Sequence, residues 1–307
     1  MLRRDFLIAA LAAACLPALA QGQRTARLVI VGGAEDRLQD RVILRKFIEY
    51  SGGPKASLRL ITAASSVPEA VAESYTRAFA EMGAQNFAVL SLSDRESAFS
   101  SQLHDEILRA DGIFMSGGDQ SRLMAAIWET PVLGALHQAF HFKGACIGGT
   151  SAGAAVMSRH MISQGAALLR PRKDAIDTDI GLGLLPAAVV DQHFSERRRL
   201  ARLLSALAQR PDLLGVGIDE DTALVVERGR EIEVIGQGVV TLVDPSLAHT
   251  NVEALEMDAQ IEWLGLQLHT LPSGHRYEAN PRVAPKHWPA GLQSALSRLV
   301  KPGPVRW

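Results

Sequence analysis

From residue 26 onward the chain alternates short β-branched runs with longer amphipathic ones, and few folds accept that rhythm. Strand, helix and strand in repetition are the unit of a parallel sheet joined by crossover helices, so the alternation predicts an α/β fold. "ARLVIVGG" (26–33) reads as a strand running into a glycine turn, and "LQDRVILRKFIEYSG" as a helix with Val42, Ile43, Phe47 and Ile48 at helical spacing. "SLRLITAASS" is a second strand, "PEAVAESYTRAFAEMGA" a helix with Pro near its start and Gly near its end, and "NFAVLSLS" a third strand. "GIFMSGGD" (112–119) is strand and turn, "QSRLMAAIWETPVLGALHQAFHFKG" is helical with a break at Pro131, and "ACIGGTS" returns to the sheet.

After residue 211 the texture changes to short Val, Ile and Leu runs between glycine turns, which predicts antiparallel hairpins at the sheet edge. The last fifty residues carry Pro272, Pro281, Pro285, Pro289, Pro302 and Pro304, so extended and loop chain with one helix near "GLQSALSRLV" is expected there. The simplest organisation is an export signal over 1–20, an α/β domain over 27–255, and a C-terminal extension over 256–307 packed on the same domain.

The first twenty residues combine an Arg pair, an apolar run and a small-residue end. Arg3-Arg4-Asp5-Phe6-Leu7 resembles a twin-arginine signal, and Ala18-Leu19-Ala20 fits a cleavage site before Gln21, which predicts a periplasmic or secreted protein with no stable membrane insertion once the signal is removed. "LAAAC" loosely resembles a lipobox at Cys15. With Cys15 in the signal, Cys146 is left alone in an apolar run, so no disulfide framework is expected and the thiol reads as a small buried hydrophobe. A formal net charge of -1 leaves no electrostatic footprint for nucleic acid.

The chemistry concentrates in "GACIGGTSAGAAVMS" (144–158). Gly149-Thr150-Ser151-Ala152-Gly153 fits G-x-S-x-G, the turn in which a strand reverses into a helix and holds a serine hydroxyl at the bend. There Ser151 would be a nucleophile, with the N–H of Ala152 donating to the oxyanion. A packing turn or a phosphate loop would also use such glycines.

A serine nucleophile needs a base, and of nine histidines His193 stands apart. It lies in "AAVVDQHFSERRRLARLL", where an apolar run ends in polar residues and a helix is expected from Ser195, placing it at the carboxyl end of a strand. The competing reading is a cap for that helix. Arg197, Arg198, Arg199 and Arg202 follow, either as a solvated face or as guanidinium groups gripping a carboxylate-rich substrate. "SGGDQSRL" (116–123) is a second glycine turn, where Gly117 and Gly118 could bring a backbone N–H to the oxyanion, with Asp119 and Gln120 in the same cleft.

Together "VIVGGAEDR", "ITAASSVPE", "FMSGGDQSRL", "GGTSAGAAVMS", "GLGLLPAAVVDQHFSERRRLARLL" and "GVGIDEDTALVV", in order over residues 27 to 245, resemble the cyanophycinase family of serine peptidases, relatives of the aspartyl dipeptidases. The resemblance implies a flavodoxin-like, class I glutamine amidotransferase-like three-layer α/β sandwich, mostly parallel with antiparallel edge strands. It implies hydrolysis of β-Asp-Arg units from the end of cyanophycin, a polyaspartate with arginine on each side-chain carboxyl, with Ser151 as nucleophile and His193 as base. Gly118 and Ala152 would supply the oxyanion N–H groups, and Gln120, Asp191, Gln192, Arg197, Arg199 and Arg202 match the family's substrate pocket. Glu35 and Asp219 sit in family motifs as structural residues, and a homodimer is compatible with the resemblance.

One departure from the family matters. Where the family carries acids that orient the histidine, the aligned stretch here is "SQGAALLRPRKD", with Ala166 and Leu168 in place of carboxylates. The orienting acid is therefore expected to be missing, with Asp174, Asp177, Asp179 or Gln164 as substitutes that no spacing argument separates. Two further readings follow: a dipeptidase or isoaspartyl peptidase with the same machinery, and a β-Asp-Arg-binding relative without turnover. No cofactor is expected, and no clustered His/Cys spacing calls for a metal.

Overall fold

Alternate side chains of the first strand, β1 (Arg27–Val31), divide the interior into two clusters: Leu28 and Ile30 enter one, Val29 and Val31 the other. A strand buried on both faces belongs in the middle of a helix-covered sheet. The computed structural model describes residues 25–305 apart from residue 284, so the expected export signal, its cleavage site and Cys15 lie outside the described residues.

Four more parallel strands follow, each after a helix or turn: β2 (Ser57–Ile61), β3 (Asn86–Val89), β4 (Gly112–Met115) and β5 (Cys146–Thr150). A short antiparallel pair, β6 (His160–Gln164) and β7 (Asp177–Ile180), precedes β8 (Ala188–Gln192) and β9 (Leu214–Ile218). Then come β10 (Thr222–Glu227), β11 (Glu231–Gly236), β12 (Val239–Asp244), the two-residue β13 (His249–Thr250) and β14 (Trp263–Leu264), β15 (Gln267–Pro272) and β16 (Arg276–Glu278). The main sheet has the order β16-β11-β10-β1-β5-β4-β2-β3, with β10, β11 and β16 antiparallel at one edge as expected.

Helices cover both faces. On one, α1 (Val42–Tyr50) and α2 (Pro68–Glu81) bury Phe47, Tyr75 and Phe79 against Phe114 of β4. Full burial of each such ring contributes about 2–3 kcal/mol. On the other lie α3 (Ser101–Leu108), α4 (Gln120–Ile127) and α5 (Pro131–Lys143), the last two separated before Pro131 as the sequence predicts. The single turn α6 (Ala152–Ala155) follows β5, α7 (Leu200–Gln209) follows β8, and α8 (Ala290–Leu299) sends Leu292 and Leu296 into the larger cluster.

Two features differ from the sequence reading. A second sheet, β15-β12-β9-β8, packs Val190, Val216, Ile218 and Leu242 into the larger cluster. In it β9 runs parallel to β8, not antiparallel, because α7 lies between them and carries the chain back across the sheet. The helix expected from Ser195 begins only at Leu200, after a stretch in which Arg198 has φ 51°. The chain beyond residue 256 adds β15 to β12 and β16 to β11. No described helix is long and apolar enough to cross a membrane.

Candidate active site

Ser151 stands between β5 and α6 with φ 52° and ψ -110°, a conformation that costs a non-glycine residue about 1–3 kcal/mol. The surroundings enforce it. Its N–H donates to the Val31 carbonyl at 3.0 Å, and its carbonyl accepts from Ala154 and Ala155, each at 3.0 Å. A methyl at Gly149 would lie 2.3 Å from the Gly153 carbonyl oxygen, which is the collision across the bend that the motif avoids. Gly153 is needed for a different contact, since a methyl there would lie 2.3 Å from the Met115 carbonyl of β4.

His193 leaves the end of β8 with φ 48° and donates its backbone N–H to Gly32 at 2.7 Å. Its Nε2 is 3.0 Å from Ser151 Oγ, and its Nδ1 is 2.6 Å from Glu220 Oε1. A carboxylate can only accept, so Nδ1 carries the proton and Nε2 faces the serine hydroxyl as a hydrogen-bond acceptor. Neither a packing turn nor a phosphate loop requires that alignment. Capping of the following helix is also excluded as the histidine's role, because α7 starts seven residues later. Burial holds the His193 pKa below its ordinary value; the Glu220 hydrogen bond opposes this, while the charges of Arg197 and Arg199 add to it.

Glu220 corrects the expectation of a missing acid. It follows β9, whose Ile218 pairs with Gln192 of β8, so the parallel register brings the residues just beyond both strand ends side by side. Asp174, Asp177, Asp179 and Gln164 are all exposed, and none is bonded to the imidazole. The two strands end in similar fashion, "VVDQH" and "GVGIDE", and a parallel pairing of them would have pointed to the glutamate.

The arginine cluster divides. Arg197 and Arg198 are exposed, whereas Arg199 and Arg202 are buried, so a solvated face describes only half of it. Arg202 grips the fully buried Asp191 through both carboxylate oxygens, with Nε to Oδ2 at 3.0 Å, and donates Nη1 to the Gly165 carbonyl at 2.7 Å. Arg199 Nη1 reaches the Gln192 carbonyl at 2.6 Å, the Gln192 amide oxygen, and Asp191 Oδ1 at 3.4 Å. Its Nε is buried without a partner among the described residues, and burial lowers its pKa to about 10. Gln120 donates Nε2 to the Ile162 and Ser163 carbonyls at 3.0 and 2.7 Å, which leaves its amide oxygen to face other groups.

The second glycine turn lies against the serine: a methyl at Gly117 would be 3.3 Å from Ser151 Cβ. Gly118, at φ 143°, has the Ala64 carbonyl where a Cβ would project, 2.1 Å away. Asp119 caps α4 by accepting from Ser121 and Arg122 instead of facing the cleft. Asp219 accepts from the Ser195 and Val239 N–H groups and ties the post-β8 turn to β12. Cys146 is buried inside β5, where burial pushes its thiol up to about 12. Among the described residues no group of three or more His, Cys, Asp or Glu is placed to hold a metal ion.

A nucleophile elbow, a base and a carboxylate in one hydrogen-bonded line describe a serine peptidase, and residues 28–235 match peptidase family S51. The chain belongs to that family. Among relatives of this S51 chain, a protein named cyanophycinase from Trichormus variabilis is 43% identical over 264 residues, covering 86% of this chain and 88% of its own length. One of the same name from Nostoc sp. matches at 43% over the same shares, and one from Geminocystis herdmanii at 40% over 81% of this chain and 92% of its own. The S51 chain also superposes on the crystal structure of a peptidase from an acI-B1 Actinobacterium with a TM-score of 0.63 at 24% identity, covering 84% of this chain and 98% of that one, a likeness of fold.

Proposed function

We propose that this peptidase releases β-Asp-Arg dipeptides from the end of cyanophycin, through Ser151 as nucleophile. The observation that carries the reading is the line Ser151 Oγ, His193 and Glu220, at 3.0 and 2.6 Å, in a chain whose relatives over most of its length are named cyanophycinases. Ser151 Oγ attacks the scissile carbonyl carbon as its proton passes to His193 Nε2, and the carbonyl oxygen becomes an oxyanion facing the N–H groups of Ala152 and Gly118. Collapse breaks the C–N bond, and the imidazolium gives its proton to the leaving amine. Water, deprotonated by the same nitrogen, then attacks the acyl-enzyme and frees the serine.

Each unit of the polymer carries a guanidinium and a free arginine carboxylate. The buried Arg199, fixed by Gln192 and Asp191 with its Nε unpartnered among the described residues, suits that carboxylate, and the exposed Arg197 offers a second cationic group. Gln120, with its amide hydrogens engaged, offers an acceptor to the guanidinium. Asp191 and Arg202 hold this pocket together from below. The Arg pair and small-residue end of residues 1–20 support export to the periplasm or outside the cell, where the substrate would be polymer released by other cells. A homodimer belongs to the same reading.

The second enzymatic reading, hydrolysis of short β-aspartyl peptides, uses the same site. A panel of cyanophycin, β-Asp-Arg oligomers and isoaspartyl dipeptides, scored by kcat/KM with products identified by mass, tests the choice. The polymer and its oligomers are expected to lead and to give β-Asp-Arg; preference for simple dipeptides would transfer the assignment to the second reading. A binding protein without turnover would lack an orienting acid, and the Glu220 carboxylate bonded to His193 Nδ1 supports the enzymatic reading instead.

A further inference from the structure

The end of β1 and the turn after it bond the backbone of Ser151, of His193 and of the residue next to Glu220, although none of their side chains belongs to the hydrogen-bonded line. Val31 accepts from the Ser151 N–H at 3.0 Å, Gly32 from the His193 N–H at 2.7 Å, and Gly33 from the Asp221 N–H, next to Glu220, at 2.9 Å. Gly33 also lies against the imidazole, since a methyl there would be 2.3 Å from Cε1. These are backbone contacts. The side chain of Glu35 reaches the nucleophile's strand. Its carboxylate is buried, with Oε2 accepting from the hydroxyl of Thr150, the residue before Ser151, and Oε1 from the hydroxyl of Tyr75 on α2. Arg37 Nε stands 3.8 Å from Oε1 and its guanidinium lies over the Tyr75 ring.

A buried carboxylate is costly to retain unless its oxygens are bonded, and packing alone would be served by an apolar residue. Here two hydroxyls from different elements converge on it directly behind a serine held at φ 52°. We infer that Glu35 is a positioning residue for catalysis: by clamping Thr150 to α2 and to the β1 turn, it fixes the Ser151 hydroxyl on His193 Nε2. The inference rests on Ser151 being the nucleophile. It does not depend on which peptide is cleaved, and Glu35 acts through Thr150 without touching substrate.

The test is the rate at which a fluorophosphonate probe labels Ser151 in the full chain, followed across pH, for wild type, Glu35→Gln, Thr150→Val and the double variant, with thermal midpoints and near-ultraviolet circular dichroism checking the fold. Misplacing a nucleophile by a fraction of an ångström to 1 Å costs up to roughly 100-fold, so labelling is expected to fall about 10- to 100-fold in each single variant. The double variant is expected to be no slower than the slower single, because both break one link. The midpoint of the pH profile should stay in place, since the His193–Glu220 bond is untouched. Wild-type labelling in a folded single variant, additive losses in the double, or a moved midpoint would overturn the inference. Should Glu35→Gln fail to fold, Thr150→Val decides alone. A wild-type protein that the probe does not label would remove the serine mechanism itself, which separates that failure from the failure of Glu35's role.

Discussion

Glu220 accepts a 2.6 Å hydrogen bond from Nδ1 of His193, although the two residues are 27 positions apart and follow different strands. The bond exists because α7 returns the chain so that β9 lies parallel to β8 with Ile218 opposite Gln192. Parallel neighbours present the residues beyond their carboxyl ends on the same rim, so a base and its orienting acid can come from consecutive strands.

Glu220→Gln is therefore expected to lower kcat by roughly 10³- to 10⁴-fold with KM little changed, as loss of the orienting acid does in serine proteases. The Glu220 carboxylate raises the His193 pKa, so its removal should also move the acidic limb of the rate profile to lower pH. Steady-state kinetics across pH measure both effects.

On the proposed mechanism His193 acts as neutral imidazole, and burial keeps its pKa below its ordinary value. Activity should rise through a midpoint below pH ~6.5, and protonation of Nε2 accounts for its loss at lower pH. Arg197→Gln removes a charge that lowers this pKa, so the midpoint should move upward, by less at high salt because Arg197 is exposed. A kcat/KM profile at two ionic strengths checks the sign.

What was legible in the chain was whatever depends on neighbours in sequence. The strand and helix rhythm, the break before Pro131 and the elbow at Ser151 are local patterns, and His193 was visible as the polar end of an apolar run. Glu220 was not, because its place depends on whether β9 runs parallel or antiparallel to β8, and glycine-spaced Val and Ile runs read as hairpins. The second sheet was hidden for the same reason. Arg199 and Arg202 read like Arg197 and Arg198 in sequence; Asp191 and Gln192 at the end of β8, with the Gly165 carbonyl, draw the first two inward.

Asp191 is fully buried between Arg199 and Arg202, so Asp191→Ala would leave two buried guanidinium groups without their shared carboxylate. Removing one partner of a buried ion pair costs about 3–5 kcal/mol, and urea unfolding of Asp191→Ala should show a loss of that order. Arg198→Lys, at an exposed position and with the same backbone preference, should change stability by less than about 0.5 kcal/mol.

Gly33 and Gly53 both hold positive φ, at 103° and 90°, but only Gly33 abuts the imidazole. Gly53→Ala should cost only the backbone strain, about 1–2 kcal/mol, and leave kcat unchanged. Gly33→Ala adds a methyl 2.3 Å from the His193 ring and should lower kcat by roughly 100-fold. Comparing kcat at matched folded fraction separates the two effects.

The most direct measurement is mass analysis of the products when purified wild type and Ser151→Ala are incubated with cyanophycin. Wild type is expected to release β-Asp-Arg, and the variant, folded and still binding polymer, to release none. Dipeptide from Ser151→Ala at the wild-type rate would contradict the account, as would a folded wild-type enzyme that leaves the polymer intact.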